Sequence, residues 1–263
     1  MNQPDAFQTE FRPVPGLDVS VALHPWDAET FGFETGEVKV GPSPVDGEAL
    51  RTWMSHEGIA LLVAHARGED SVHRRRLHET GFRPVEEAYT VALPRLVKAG
   101  LPSSLVELRR ARPEERSALE DLASRAFRFG RFHTDPWFPV ALARRRMARW
   151  VGRAMESEDP ADAVLVVESE GGPEGFFHVR HVDGKASLRL GGVDPSRNGG
   201  LGGYGLFVET LRWLRDRGAR SVTAEIAAAN TAVVNVYARL GFLFTRLDVT
   251  MHLHSPTAPY LER

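Results

Sequence analysis

The spacing of apolar positions changes repeatedly along the chain, and beyond residue 102 it predicts an ordered series of strands and helices. The strand-like segments are Ser104–Arg110, Ala163–Glu168, Gly175–Val182, Ala186–Val193, residues 221–227 and Leu243–Leu253. The helical segments are residues 113–127, Pro139–Met155, Gly202–Arg217 and the stretch from Asn230 to Gly241. Turn signals between the three central strands favour an antiparallel meander. This order predicts an α/β domain with a mixed sheet.

The first 102 residues follow a looser pattern. Residues 1–20 contain three prolines and read as a lead-in, and the proline- and serine-containing stretch Leu93–Ser104 reads as a linker. The segment Ile59–Phe82 repeats the strand–turn–helix–Gly-Phe order of Ser221–Phe242, with Leu77 opposite Tyr237. We interpret this as a degenerate half-domain, and chance similarity is the alternative.

Composition narrows the functional classes. The 263 residues carry 33 basic and 35 acidic side chains, and this near-balance argues against nonspecific binding to nucleic acid or to an anionic membrane. There is no cysteine, which excludes disulfides, a thiol nucleophile and cysteine-ligated metals. No metal site is predicted. Neither a signal peptide nor a long apolar run is found, so we expect a cytoplasmic protein.

A glycine-rich loop joins a predicted strand to a predicted helix. Four of the five residues 199–203 are glycine, and Arg197 precedes them. A helix N-terminus behind such a loop offers free N–H donors and partial positive charge, which suits a phosphate or pyrophosphate. The loop lacks the Gly-Lys-Ser/Thr ending of an ATP-binding loop. A flexible turn that binds nothing is the alternative.

These residues resemble the acetyl-CoA-binding motif of the GCN5-related N-acetyltransferases. The motif Gln/Arg-x-x-Gly-x-Gly/Ala is matched by Arg197, Gly200 and Gly202. A second signature is matched by Asn230, by Tyr237 seven residues later and by a following Gly-Phe pair. The resemblance covers about residues 104–254 and implies the acyl-CoA N-acyltransferase fold.

A narrower resemblance extends to the dTDP-fucosamine acetyltransferase group of that family. It rests on residues 26–33, Trp-Asp-Ala-Glu-Thr-Phe-Gly-Phe, and on residues 131–136, Arg-Phe-His-Thr-Asp-Pro. That group has a partial acetyltransferase-like N-terminal domain. The linker places a domain boundary at about residue 102, and the resemblance implies a degenerate domain over residues 1–102 and a catalytic domain over residues 103–263.

The resemblance implies which residues hold acetyl-CoA. The predicted contacts are Leu190, Gly192, Val193, Arg197, Asn198, Gly199, Gly200, Leu201, Gly202, Gly203 and Asn230. Gly191 and Gly192 weaken the end of their strand and indicate a bulge or a close backbone approach, with a simple strand end as the alternative. Asn230 is expected to cap its helix in either case.

The resemblance implies direct attack of an amine on the thioester, with Tyr237 donating a proton to the departing thiolate. A core tyrosine is the alternative. His178 and His133 are candidate bases, although a structural role is open for each. Asp135, Trp26 and Arg189 are candidate acceptor contacts, but Trp26 can equally hold the N-terminal domain in place and Arg189 can be a surface residue.

The arginines at 144–146 are expected on a solvated helix face rather than in a nucleic-acid interface. The leading hypothesis is an acetyl-CoA-dependent N-acetyltransferase of a small-molecule amine, such as a nucleotide-linked amino sugar. Alternatives are a non-catalytic acyl-CoA sensor, a different nucleotide-binding protein, or acetylation of a protein amine, an aminoglycoside or a polyamine. No nucleic-acid or membrane partner is expected, and a homodimer is left open.

Overall fold

The computed structural model describes residues 10–103, 106–169, 172–196 and 201–261. Its strands are β1 Arg12–Pro13, β2 Val19–Leu23, β3 Glu34–Val40, β4 Ile59–Arg67, β5 Arg83–Leu93, β6 Leu108–Arg110, β7 Asp162–Ser169, β8 Gly172–Val182, β9 Lys185–Val193, β10 Ser221–Ala227 and β11 Leu243–His254. Its helices are α1 Pro25–Phe31, α2 Gly47–His56, α3 Ser71–Thr80, α4 Arg116–Ala126, α5 Arg131–Thr134, α6 Val140–Glu156, α7 Leu201–Asp216 and α8 Thr231–Arg239. The predicted mixed α/β architecture is confirmed.

The described chain forms two compact units whose segments alternate along the sequence. Unit 1 contains Tyr89–Arg128 and Met147–Thr245. Unit 2 contains the segment that ends at Ala88, the segment Phe129–Arg146 and the segment that begins at Arg246. Because the units interleave, the division into residues 1–102 and 103–263 stays a prediction.

Unit 1 is built on strands in the order β5-β10-β9-β8-β7-β6. β7, β8 and β9 pair antiparallel, which confirms the predicted meander, and β10 pairs parallel with β9. Helix α7 buries Phe207, Val208, Leu211 and Leu214 in the core of this unit. Their helical spacing is the pattern that predicted α7 from the sequence.

Unit 2 is built on strands in the order β1-β2-β3-β4-β11. β3 and β4 are parallel, whereas β11 pairs antiparallel with β4 through Asp248–His254 and Arg67–Leu61. Leu50, Leu77 and Phe82 belong to its core and are fully buried. The end of β11 therefore joins strands that come from residues 12–67 of the sequence.

The two repeated segments contribute their last strands to different units. β4 and α3 lie in unit 2, but β5, which follows them, ends in unit 1 next to β10. β10 and α8 lie in unit 1, but β11 ends in unit 2 next to β4. This exchange of terminal strands, together with the segment Phe129–Arg146 that belongs to unit 2, is the reason that the units interleave along the chain.

Two stretches that were predicted to be irregular contain ordered structure. In the predicted lead-in, β2 begins at Val19 and pairs with β3 and β1. In the predicted linker, Leu96 is fully buried in the core of unit 1 and its N–H donates to the carbonyl of Arg220 at 2.9 Å. Both stretches are held by long-range contacts that proline and glycine content does not reveal.

None of the described helices combines the length and the apolar composition that crossing a bilayer requires.

Candidate active site

Two neighbouring parallel strands of unit 1 separate partway along their length. Lys185–Leu188 of β9 pair with Ser221–Ala224 of β10. β9 continues to Val193 and β10 to Ala227 without further pairing between these described segments. The backbone of residues 189–193 therefore faces a gap within the sheet, and an extended molecule can add to such an edge by hydrogen bonding to the main chain.

A β-bulge lies at the point where the two strands separate. His178 of β8 is opposite Leu190 of β9, whereas the next residue, Val179, is opposite Leu188. Arg189 is therefore the extra residue, and it is half-buried. This corrects the predicted position of a bulge at Gly191 and Gly192, since the irregularity begins before them.

The two glycines fulfil the other expectation, because neighbouring side chains lie very close to their backbone. A Cβ on Gly191 would overlap the ring of Phe177, and a Cβ on Gly192 would lie 2.9 Å from the Cβ of Ala126. No larger side chain fits at either position without movement of these neighbours. The glycines are thus explained by packing inside unit 1, and their backbone lies at the gap beside β10.

The end of β9 leads towards the start of α7. Leu190 is buried and Val193 is half-buried. The position of a Cβ on Gly203 lies 3.8 Å from a methyl of Val193. Four predicted cofactor contacts, Arg197, Asn198, Gly199 and Gly200, lie outside the described residues. Leu201 and Gly202 open α7, whose first N–H groups have no partner within the helix.

Asn230 and Tyr237 belong to α8. The side chain of Asn230 accepts a hydrogen bond from the N–H of Val233 at 3.3 Å, so the predicted cap is confirmed. Tyr237 is 3% exposed, and its ring meets those of Phe207 and Phe242 edge-on at 5.3 and 4.8 Å. Burial raises the pKa of the Tyr237 phenol well above its ordinary value. The phenol therefore stays protonated, which suits a proton donor and not a base.

His178 is held by partners on both of its ring nitrogens. The indole N–H of Trp150 donates to Nδ1 at 3.3 Å, and Nε2 lies 3.1 Å from a carboxylate oxygen of Asp162. The ring is 4% exposed. Since Nδ1 accepts from Trp150 and Nε2 donates to Asp162, neither nitrogen is available to an amine. The geometry favours the structural alternative for His178.

Trp26 lies in unit 2 and is buried against a charged group. The guanidinium of Arg146 lies 4.7 Å from the centre of the Trp26 ring. The Nε of Arg146 donates to a carboxylate oxygen of Asp27 at 2.7 Å, and both side chains are at most 2% exposed. These contacts favour the role of holding unit 2 together.

The expectation that Arg144, Arg145 and Arg146 all lie on a solvated helix face is corrected for one of them. Arg144 and Arg145 are exposed, but Arg146 is buried.

His133 and Asp135 also lie in unit 2. Both ring nitrogens of His133 are buried without a hydrogen-bond partner among the described residues. Burial, aided by the charges of Arg144 and Arg146, lowers the pKa of His133 to about 4, so the ring is neutral at pH 7.

Asp135 is the centre of a cluster that the sequence analysis missed. One of its carboxylate oxygens lies 2.6 Å from Nδ1 of His252 and 2.9 Å from Nε2 of His254. Burial alone would raise the pKa of Asp135, but the two histidine contacts hold it well below its ordinary value. The His-x-His spacing on a predicted strand was the available signal, because residues i and i+2 share one face.

Comparison with known proteins adds the family. No protein-family model matches the chain. The mycothiol acetyltransferase of Saccharopolyspora erythraea is 30% identical over 222 residues, which cover 82% of this chain and 67% of that protein. The dTDP-fucosamine acetyltransferase of Escherichia coli O6:H1 is 25% identical over 233 residues, covering 86% of this chain and 95% of that protein.

Similarity of fold agrees with these relatives. The crystal structure of a GCN5-related N-acetyltransferase from Sphaerobacter thermophilus matches with a TM-score of 0.61 at 18% identity, over 90% of this chain and 76% of that one. The expected acyl-CoA N-acyltransferase fold is thereby confirmed. The chain is an N-acetyltransferase and belongs to the GCN5-related N-acetyltransferase family.

Proposed function

We propose that this enzyme uses acetyl-CoA and transfers its acetyl group to a primary amine of a small molecule. The observation that carries the proposal is the separation of β9 from β10 beyond Leu188 and Ala224, with Tyr237 and the start of α7 in the same unit. The separated strands offer main-chain groups to an extended thioester, and α7 offers N–H donors to its phosphates.

The residues present fit such a co-substrate. Residues 189–193 have backbone groups facing the gap, and the packing of Gly191 and Gly192 keeps side chains out of that part of β9. In the proposal, Arg197 and the amides of residues 198–203 bind the pyrophosphate, as the sequence motif implies. Asn230, which caps α8, takes the second role that the family motif implies and bonds the pantetheine arm.

In the proposed reaction the amine nitrogen bonds to the thioester carbonyl carbon and the carbon–sulfur bond breaks. The attacking nitrogen loses one proton to water, the departing thiolate gains one from the Tyr237 hydroxyl, and the resulting phenolate then recovers a proton from water. The raised pKa of Tyr237 keeps that proton in place before the reaction. A backbone N–H freed by the bulge at Arg189 is suited to stabilising the negative charge on the carbonyl oxygen.

The proposed acceptor is a small amine of the kind carried by amino sugars. The relatives are named for mycothiol and for dTDP-fucosamine, and a nucleotide-linked amino sugar is the acceptor that the narrower motif implies. Arg189 is proposed to meet an anionic group of that acceptor, because it is the bulged residue at the gap. A base at His178 is not part of the proposal, since both of its nitrogens are engaged.

The test is release of free thiol from acetyl-CoA in the presence of a panel of amines. The panel contains nucleotide-linked amino sugars, aminoglycosides, polyamines and a peptide amine. We expect thiol release that depends on both acetyl-CoA and a small-molecule amine. If acetyl-CoA raises the melting temperature but no amine releases thiol, the proposed acceptor class is wrong. If ATP raises the melting temperature and acetyl-CoA does not, the proposed co-substrate is wrong.

A further inference from the structure

Three metal-ligating side chains of unit 2 meet at one buried point. Asp135 follows the one-turn helix α5, and His252 and His254 are on the same face of β11. One ligand atom from each residue lies within 4.8 Å of the other two. The side chains of Asp135 and His252 are 0% exposed and that of His254 is 12% exposed. The cluster is therefore shielded from bulk water.

A second layer of hydrogen bonds orients these side chains. The N–H of Trp137 donates to the other carboxylate oxygen of Asp135 at 3.0 Å. Nδ1 of His254 lies 2.8 Å from the Tyr260 hydroxyl, which in turn lies 3.3 Å from the carbonyl oxygen of Ala60. Metal-binding histidines and carboxylates are held by outer partners of these types, which fix the tautomer and the ring orientation.

With a neutral ring at His254, the protons of this cluster do not satisfy every contact at once. If the Tyr260 hydroxyl donates to Ala60, its oxygen accepts from Nδ1–H of His254. A neutral His254 then directs the lone pair of Nε2 at a carboxylate oxygen of Asp135, 2.9 Å away. Two lone pairs repel unless positive charge lies between them or on the ring. A proton or a metal cation at this point resolves the conflict, and either one leaves each hydrogen bond of the second layer intact.

We propose that Asp135, His252 and His254 bind a divalent transition-metal ion of the Zn²⁺ type. Two imidazoles and one carboxylate are donors that such ions prefer. Two ligands of a tetrahedral ion with bonds of about 2.05 Å are about 3.3 Å apart. The histidine nitrogens lie 2.6 and 2.9 Å from the carboxylate oxygen, so binding an ion would move these atoms apart by less than about 1 Å.

The ion would connect the segment after α5 with the end of β11. It would therefore act on the stability of unit 2, and the proposal is independent of the proposed acetyl transfer. It departs from the sequence analysis, which expected no metal site and considered Asp135 an acceptor contact.

The test is the metal content of the full chain, purified without a polyhistidine tag. We expect about one equivalent of Zn²⁺ per chain by elemental analysis, with loss of most of it in Asp135→Asn and His254→Gln. His78→Gln is the matched control, because it removes an exposed histidine of the same unit and leaves the cluster intact. Circular dichroism establishes that each variant is folded before its metal is counted.

A second measurement covers the case in which purification removes the ion. After treatment with a chelator, added Zn²⁺ should raise the melting temperature of the wild type and of His78→Gln, but not of His254→Gln. Added Co²⁺ should produce a visible absorption band in the same two proteins only. A folded wild type with neither bound metal nor a response to Zn²⁺ or Co²⁺ would overturn the proposal. Equal metal binding by the wild type, Asp135→Asn and His254→Gln would overturn it as well.

Discussion

The segments β4–α3 and β10–α8 have the same local architecture in different units. Asp70 and Asn230 cap their helices by accepting from the N–H three residues later. Gly81 and Gly241 follow with φ values of +105° and +80°, which favour glycine. Phe82 and Phe242 then enter the cores of their units. The two segments therefore share a helix cap, a glycine turn and a core phenylalanine, which are features of packing.

The chemistry differs at two places within this shared architecture. Leu77 in α3 is the counterpart of Tyr237 in α8, and both are buried, but only the tyrosine offers a proton.

The helices before the repeats differ as well. At the start of α2 the Asp46 carboxylate accepts from the N–H groups of Glu48 and Ala49 at 2.9 and 3.2 Å. A carboxylate on these donors competes with a phosphate, whereas α7 opens from a glycine-rich sequence. The comparison teaches that two segments can share a packing pattern while the helix starts that precede them differ, because the N–H donors at the start of α2 are already bound by the chain's own carboxylate.

The largest expected effect comes from removing the hydroxyl that distinguishes Tyr237 from its counterpart Leu77. Tyr237→Phe should lower kcat about 10²-fold or more, because a positioned general acid contributes roughly 10²–10⁴-fold. The phenylalanine ring keeps the edge-on contacts with Phe207 and Phe242, so the dissociation constant for acetyl-CoA should hardly change. Steady-state kinetics and calorimetric titration measure the two quantities. Tyr89→Phe, a partly buried tyrosine at the same core, is the control. An unchanged kcat would remove Tyr237 from the mechanism.

The second prediction tests whether the motif around Trp26 serves stability. Asp27→Ala leaves the buried guanidinium of Arg146 without its 2.7 Å partner, and the loss should be about 3–5 kcal/mol in the free energy of unfolding. Urea unfolding provides the measurement. The double variant Asp27→Ala/Arg146→Met should recover most of the loss, since neither charge of this pair remains buried. A single variant as stable as the wild type would show that the ion pair does not stabilise unit 2.

The third prediction concerns pH. The pKa of His133 is lowered to about 4 in the folded chain, against about 6.5 for an unperturbed histidine. Between these values the unfolded chain binds the proton and the folded chain does not. The contribution of His133 to stability is therefore full above pH ~6.5 and is lost as pH falls towards ~4, by up to about 1.4 kcal/mol per pH unit.

His133→Gln should reduce the slope of this dependence in urea titrations between pH 4 and 7, since glutamine does not titrate in that range. The remaining slope belongs to other buried histidines such as His65, whose pKa burial also lowers to about 4. His78→Gln, which removes an exposed histidine, should leave the wild-type slope in place. If His133→Gln retains the full slope, His133 is not the group responsible.

The smallest effect is expected from a substitution that gives one repeat the capping residue of the other. Asn230→Asp places the Asp70 type of cap on α8, and aspartate caps about as well as asparagine, so stability should change by less than about 0.5 kcal/mol. Aspartate cannot donate the amide hydrogen bond proposed for the pantetheine arm, so KM for acetyl-CoA should rise about 3–10-fold. Thermal unfolding and kinetics measure the two effects. A large loss of stability with unchanged KM would reverse the assignment of roles.

Local patterns predicted the parts of this molecule that local forces decide. The helix from Asn230 and the meander β7–β9 follow from capping, periodicity and turn residues within a few positions. The bulge at Arg189 was displaced by two residues in the prediction, because the glycines at 191 and 192 are also required by the packing of Phe177 and Ala126. The presence of a glycine in the sequence does not distinguish a bulge from close packing.

The sequence by itself determined the order of the elements, the family motif and the position of Tyr237, seven residues after the helix-capping Asn230. The tertiary structure alone decided that β11 ends beside β4, about 190 residues earlier in the chain. It also decided that Arg146 is buried on Asp27 and that His252 and His254 meet Asp135. Capping and periodicity act over a few residues and can be read from the chain. Strand exchange and buried charge clusters depend on long-range pairing, which no local pattern records.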